Sequence, residues 1–300
     1  MLHQDSNHRQ DSDHQWVSAH VFTAHPLDLV VQRLLPDVLD DLRRRGLADR
    51  FFFIRHWQFG PHVRLRVRLT TSDAAPEVRE TIDAHAAALF RSQPSTRTMT
   101  DRQYAELAER FSVMEPGSEP GALAPNDSLA FIPYRPENAK YGYGAALRAV
   151  EDSFSTCSEL ALAATAASWA PARQLAYCFA LLAGSLDRGA RPAVRQSPAV
   201  VEQYRRRRAA LLPVARSARA ALAADAIGGA ADDDPAAHWF ASFRRARDLA
   251  ADPGLLSGHL THLACNRLGV RLEQEATLRQ LAALAVHELT GGPEAAVGLR

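Results

Sequence analysis

The chain has 300 residues, of which 47% are hydrophobic and 23% charged, so it is long enough and apolar enough to bury a proper core. The formal net charge of +1 excludes the global basic field of a typical nucleic-acid-binding protein. No apolar run approaches the roughly 20 residues that span a bilayer, so no membrane association is expected. Three scattered cysteines without metal-ligand spacing predict reduced thiols in a cytoplasmic protein.

The N-terminal region predicts a tail, a strand and a long helix. Residues 1–15 are polar and rich in histidine, with no apolar segment of a secretory signal, and we predict a disordered tail. Residues 16–23 read as a first strand. A helix is expected from Pro26 to Gly46, with arginines at the negative end of its dipole. Pro36 should kink or split this helix.

Residues 51–69, FFFIRHWQFGPHVRLRVRL, predict a β-hairpin with a turn at Phe59-Gly60-Pro61. In its second strand aliphatic residues alternate with Arg64, Arg66 and Arg68, so three guanidinium groups share one face. Residues two apart on a strand lie roughly 6.6 Å apart, close enough for two arginines to grip one anion. Either this face is open to solvent or it holds an anionic ligand.

The remainder is mostly helical. Helices are predicted at 72–91 and 101–114, followed by a loop at 115–126 and a short strand at 128–134. From residue 145 onward we predict helices at 145–168, 171–186, 198–226 with a break near Pro213, 235–250, 255–268 and 271–289, with a linker at 228–234. The pattern favours an α+β fold, an antiparallel sheet packed with helices and a helix-rich C-terminal half. We expect one domain over residues 16–289 and a tail at 290–300.

Two further groups of polar residues are candidate sites. Glu137 and Lys140 are three apart and share a face if the segment turns helically, either as part of a site or as an exposed ion pair. His259, His262 and Asn266 lie on one side of the predicted helix at 255–268. Their spacing differs from that of a zinc-protease helix, so no metal is expected.

The run of arginines at 205–208 spreads around a helix and reads mainly as a solvated collar, although it could hold an acidic peptide or a tRNA phosphate. The chain lacks a glycine-rich phosphate loop, a dinucleotide-binding fingerprint and a nucleophile elbow. We therefore expect no organic cofactor.

Three segments, in order, resemble one family. The hairpin at 51–68 is similar to the "FFIRY…GPHLRLR" hairpin of the lantibiotic dehydratase C-terminal domain, also called the thiopeptide-type bacteriocin biosynthesis domain. YRPENAKYG at 134–142 resembles its "Y-x-PE-x-x-RYGG" motif, and LTHLACNRL at 260–268 resembles its "HMHxNR" motif. The similarity spans about residues 16–289.

The resemblance implies an enzyme that modifies a ribosomally made precursor peptide. As the elimination half of a dehydratase, the domain removes glutamate from glutamylated Ser or Thr and leaves dehydroalanine or dehydrobutyrine. Stand-alone members work beside a separate glutamylating protein. Other members, the thiopeptide pyridine synthases, join two dehydroalanines in a formal [4+2] cyclisation and release the leader peptide. A non-catalytic peptide-binding module is a third reading.

The resemblance also implies the site residues. Its motifs assign catalytic roles to five residues: Arg64, Arg66, Glu137, Lys140 and His262. Substrate binding is expected from six more, namely Arg55, His62, Tyr134, Tyr141, His259 and Asn266. The arginines would stabilise carboxylate and enolate charge, and His262 would act as a general acid or base.

The chain departs from the family pattern at several positions. Lys140 replaces the usual arginine, Tyr143 interrupts the RYGG stretch, and Ala264 replaces the second histidine of HMH. The residues around 125–134 are also similar to a "PDNS…PY" stretch of the pyridine synthases. The residues favour elimination and leave cyclisation open. The partners expected are the precursor peptide and the glutamylating protein, with a homodimer left open.

Overall fold

The computed structural model describes residues 16–114, 121–186, 197–223 and 235–291. It divides into two compact units, with the boundary after Pro136. The predicted tail at 1–15, the linker at 228–234 and most of the tail at 290–300 lie outside the described residues. The prediction of one domain over 16–289 stays a prediction, and each unit is described by itself.

The first unit is built on a four-stranded antiparallel sheet. Its strands are β1 (Trp16–Phe22), β2 (Ala48–His56), β3 (His62–Leu69) and β4 (Ser128–Phe131), in the order β2-β3-β1-β4. The predicted hairpin is therefore β2 and β3, and the α+β fold class is confirmed. The last strand ends at Phe131, three residues before its predicted end.

Several helical segments accompany this sheet in the described part of the first unit. They are α1 (Leu27–Leu29), a π-helical turn (Val30–Leu34), α2 (Leu35–Arg44), α3 (Ala75–Ser92, after a 3₁₀ turn) and α4 (Asp101–Met114). Pro36 lies in the first turn of α2, directly after the π-helical turn. The helical backbone continues without a gap from Leu27 to Arg44, so the helix is not split, and the expected irregularity is the π-helical turn before Pro36.

The two faces of the sheet differ in character. Helical residues contact one face, where Arg43 lies over the ring of Phe51 and Arg79 over that of Phe131. On this face the aliphatic side chains of β3 are buried. The opposite face of β3 carries His62 and the arginines, as the alternation predicts. We call this second surface the arginine face.

The second unit is helical throughout the part that the structure describes. Its helices are α5 (Asn138–Tyr141), α6 (Ala145–Ala166), α7 (Pro171–Ser185), α8 (Pro198–Ala223), α9 (Pro235–Asp248), α10 (Pro253–Arg267) and α11 (Leu272–Leu289). Asp252 caps α10 by accepting a hydrogen bond from the backbone N–H of Leu255. In the described ranges of both units, no helix is both long and apolar enough to cross a membrane.

One predicted feature of the second unit is wrong. Helix α8 runs from Pro198 to Ala223 without a break at Pro213. Pro213 removes one backbone hydrogen bond, to the carbonyl of Ala209, but both residues are exposed. Water can satisfy that carbonyl, so the helix continues.

Candidate functional site

Arg64 is held in place on the arginine face by two side chains. Its Nε donates to Nε2 of His62 over 3.0 Å, and its Nη2 donates to Oε1 of Gln58 over 3.1 Å. Gln58 lies in the connection between β2 and β3, and His62 begins β3. The hairpin therefore orients its own arginine.

The hydrogen bonds of His62 fix its tautomer. Its Nδ1 lies 2.8 Å from the carbonyl oxygen of Gly60, which can only accept, while its Nε2 meets the Nε–H of Arg64, which can only donate. The proton is therefore on Nδ1 and the ring is neutral. Burial, outweighing the bond to Gly60, and the nearby arginines lower the pKa of His62 to about 4.

Two further histidines accompany His62. Its ring stacks on that of His20, with centroids 5.1 Å apart, and lies 5.4 Å from that of His56. Burial and then the charge of Arg64 lower the pKa of both His20 and His56 to about 2. All three imidazoles are therefore neutral at physiological pH, and the positive charge of this face comes from its arginines.

Arg66 lies against aromatic rings. Its guanidinium carbon is 4.5 Å from the ring centroid of Tyr134 and 5.3 Å from that of Phe52. Trp16 packs edge-on against both rings. Tyr134, predicted to bind substrate, thus forms part of an aromatic cage around Arg66.

Two other arginines of the hairpin are placed differently. Arg68 shares the face of Arg64 but forms a forked ion pair with Asp49, with Nε 2.9 Å from Oδ1. Arg55 lies on the opposite, helix-covered face and pairs with Asp28 over 2.7 Å. The structure therefore does not bring Arg55 together with Arg64 and Arg66.

In the second unit, Glu137 and Lys140 form the predicted ion pair at the start of α5, with 3.4 Å between Nζ and Oε2. Lys140 also lies 5.2 Å from the ring centroid of Tyr141, which is buried. Burial alone would lower the pKa of Lys140, but Tyr141 and Glu137 raise it above its ordinary value. Lys140 is therefore firmly cationic.

His262 is bound to a carboxylate that the sequence analysis missed. Its Nδ1 lies 2.8 Å from Oε2 of Glu275 on α11. Glu275 is 4% exposed, and Arg279 donates to its other oxygen, Oε1, from Nε over 2.9 Å and from Nη2 over 2.6 Å. The three side chains form a continuous Arg279–Glu275–His262 chain.

The other predicted residues of α10 lie near this chain. The ring of His259 meets that of Tyr141 edge-on at 6.2 Å, and burial and the charge of Lys140 lower the pKa of His259. Asn266 is half-buried on the same helix. Arg267 is almost fully buried, with its guanidinium carbon 5.1 Å from the ring centroid of Phe154.

Other candidate chemistry is limited among the described residues. None of their His, Cys, Asp and Glu side chains form a group of three or more that could hold a metal ion. The cysteines are free and buried. In the arginine run at 205–208, Arg205 and Arg206 pair with Glu202, while Arg208 pairs with Glu288 and is half-exposed, as in the solvated-collar reading.

Comparison with known proteins gives one family. Residues 16–286 match the family model described as "Lantibiotic biosynthesis dehydratase C-term". No curated protein is similar enough in sequence to count as a relative.

The solved structures that share the fold include three that we describe. The pyridine synthase TbtD from thiomuracin biosynthesis is 21% identical, with a TM-score of 0.72 over 92% of this chain and 99% of that one. The tRNA-dependent lantibiotic dehydratase MibB from Microbispora sp. 107891 is 18% identical, with a TM-score of 0.56 over 93% of this chain and 28% of that one. TsrL is 17% identical, with a TM-score of 0.58 over 95% of this chain and 98% of that one.

Proposed function

This chain belongs to the lantibiotic biosynthesis dehydratase C-terminal family, and we propose that it modifies a ribosomally synthesised precursor peptide by eliminating glutamate from glutamylated Ser or Thr. The product is dehydroalanine or dehydrobutyrine. The chain is then a lyase that needs no organic cofactor or metal.

The observation that carries this proposal is the arginine face. Arg64 is oriented by His62 and Gln58, and Arg66 is held against the ring of Tyr134. Fixed guanidinium groups recognise carboxylates, and a glutamyl ester carries one carboxylate while its elimination releases a second. The dehydroalanines that a pyridine synthase joins carry no such charge.

Elimination also requires a base for the Cα proton. As the base takes this proton, the Cα electrons form the Cα–Cβ double bond, and the Cβ–O bond breaks with its electrons leaving on the glutamate carboxylate. His262 is our candidate base, because Glu275 occupies its Nδ1 and leaves Nε2 to accept a proton. We assign the developing enolate to Arg64 and Arg66.

The partners follow from the chemistry. The substrate is a leader–core precursor peptide that already carries glutamate, so a separate glutamylating protein must act first. A homodimer remains a prediction.

The second candidate is a pyridine synthase that joins two dehydroalanines by formal [4+2] cyclisation and releases the leader peptide. One observation favours it: TbtD has this fold at a TM-score of 0.72, and the match covers 99% of the TbtD chain. Both candidates act on a modified precursor peptide, so one substrate pair separates them.

The test is mass spectrometry of two peptides incubated with the protein. Elimination converts a glutamylated Ser peptide into a product one water lighter than the unmodified precursor. A pyridine synthase leaves that peptide unchanged but releases the leader from a peptide carrying two dehydroalanines. No reaction of either peptide would overturn both proposals and favour a non-catalytic peptide-binding module.

A matched pair of variants tests the role of the arginine face. We expect Arg66→Ala to abolish glutamate elimination and leave the circular dichroism spectrum unchanged. Arg68→Ala removes an arginine from the same strand face, but one paired with Asp49, and should retain most activity. Full activity of Arg66→Ala would remove that residue from the mechanism.

A further inference from the structure

We infer that Glu275 is the positioning residue of His262, and that Arg279 holds Glu275 in place. The inference rests on the proposed role of His262 in elimination. It adds two residues that lie outside the three family motifs, on the next helix along the chain.

The first step is the direction of the hydrogen bond between His262 and Glu275. Arg279 donates two hydrogen bonds, from Nε–H and Nη2–H, to Oε1 of Glu275, so the carboxylate is paired and ionised. Burial would raise the pKa of Glu275, but His262 and Arg279 outweigh it and lower that pKa. An ionised carboxylate only accepts, so Nδ1 of His262 carries the proton.

The second step is what this does to the other ring nitrogen. With the proton on Nδ1, neutral His262 has its lone pair on Nε2, where it can accept a proton from a substrate. The side chain of His262 is 33% exposed, whereas that of Glu275 is only 5% exposed. Glu275 therefore acts through His262.

The third step is the role of Arg279. Its Nη2 also donates to the carbonyl oxygen of Gly258 on α10 over 3.1 Å. Arg279 thus ties the carboxylate on α11 to the backbone of the helix that carries His262. Without Arg279, the buried carboxylate of Glu275 would lose one partner, so its ionised form would be less stable and its orientation less fixed.

The experiment compares Glu275→Leu, which removes the acceptor, with Glu275→Gln, which keeps an acceptor and removes the charge. The matched control is Glu273→Gln, the same change at an exposed position two residues away on α11. Long-range ¹H–¹⁵N NMR of the His262 ring reports its tautomer, and steady-state kinetics on a glutamylated peptide report kcat and KM separately.

In the wild type we expect the proton on Nδ1 of His262 whenever the ring carries a single proton. Glu275→Leu should shift it toward the Nε2–H form and lower kcat by about 10–100-fold with little change in KM. Glu275→Gln offers one acceptor oxygen to two donor groups, so it should also lower kcat, but less than the leucine variant. Glu273→Gln should match the wild type, and Arg279→Leu should lower kcat in the same direction as Glu275→Leu.

The NMR result decides the inference even if the chain proves not to eliminate glutamate. A wild-type ring in the Nε2–H form, or a tautomer unchanged in a folded Glu275→Leu variant, would overturn it. If the leucine variant does not fold, the wild-type tautomer and the kcat of Glu275→Gln against Glu273→Gln decide instead. Wild-type kcat in Glu275→Gln and Arg279→Leu together would also overturn it.

Discussion

The guanidinium carbon of Arg66 lies 4.5 Å from the ring centroid of Tyr134 and 5.3 Å from that of Phe52. A cation–π contact of this kind contributes about 0.5–2 kcal/mol, and it depends on the ring rather than on the phenol hydroxyl. We therefore expect Tyr134 to influence the proposed reaction through Arg66.

This contact can be tested with two substitutions at one position. Tyr134→Phe keeps the ring under Arg66 and should retain near-wild-type elimination. Tyr134→Leu removes it and should lower kcat/KM by about 2–30-fold, the factor that corresponds to a lost cation–π contact. Equal activity of the two variants, measured by mass spectrometry of the dehydrated peptide, would show that the ring does not position Arg66.

Single residues were predictable from sequence only where the local pattern determines them. The alternation in β3 places Arg64 and Arg66 on one face without further information. The same rule, applied to β2, would have placed Arg55 on the other face. His20 could not be assigned, because its place beside Arg64 depends on the β1–β3 register, which tertiary packing sets.

Glu275 carried a weak sequence signal that was overlooked. It shares a helical stripe with Leu278, Ala282 and Ala285, at spacings of three, seven and ten residues. A carboxylate on an apolar stripe implies a buried partner. The pattern could not say that the partner would be His262, since thirteen residues and a helix–helix connection separate the two.

At the scale of elements, most boundaries followed from capping residues and proline. Helix α2 ends before Gly46, whose φ of +65° terminates it as predicted, and Pro171 stands at the predicted start of α7, whereas α10 begins at Pro253, two residues before its predicted start. The prediction at Pro213 was wrong because proline removes a helical hydrogen bond, but the sequence does not show whether water can satisfy the carbonyl group that is left.

The proline inside helix α8 should lower the stability of the protein. Pro213→Ala restores the hydrogen bond to Ala209 at an exposed position and removes no packing. Proline costs about 3 kcal/mol in a helix interior, offset by about 1 kcal/mol because it restricts the unfolded chain. The variant should raise the free energy of unfolding by about 2 kcal/mol in urea titrations. A less stable variant would show that Pro213 makes a contact that alanine cannot.

At the scale of the whole molecule, the buried neutral histidines make the free energy of unfolding depend on pH. The pKa of His20 is lowered to about 2 and that of His62 to about 4, whereas both return to about 6.5 in the unfolded chain. Below pH 6.5 the unfolded chain therefore binds protons that the folded chain excludes, and stability falls as pH falls. The two groups together contribute a loss of about 2 kcal/mol between pH 6.5 and 5.5.

Carboxylates change the stability of the protein at lower pH than the histidines do. The pKa of Glu275 is lowered on folding, so its contribution to the free energy of unfolding is present above the pKa of the unfolded chain and is lost as pH falls below about 4.5.

Calorimetric melting from pH 8 to 4 should therefore show a first decline in Tm beginning near pH 6.5, where the histidines act, before the decline caused by the carboxylates. His20→Phe keeps a ring in the cluster but removes one titrating group, and it should reduce the first decline. A Tm that stays constant down to pH 5 would mean that these imidazoles accept protons in the folded protein, and the arginine face would then gain charge on acidification.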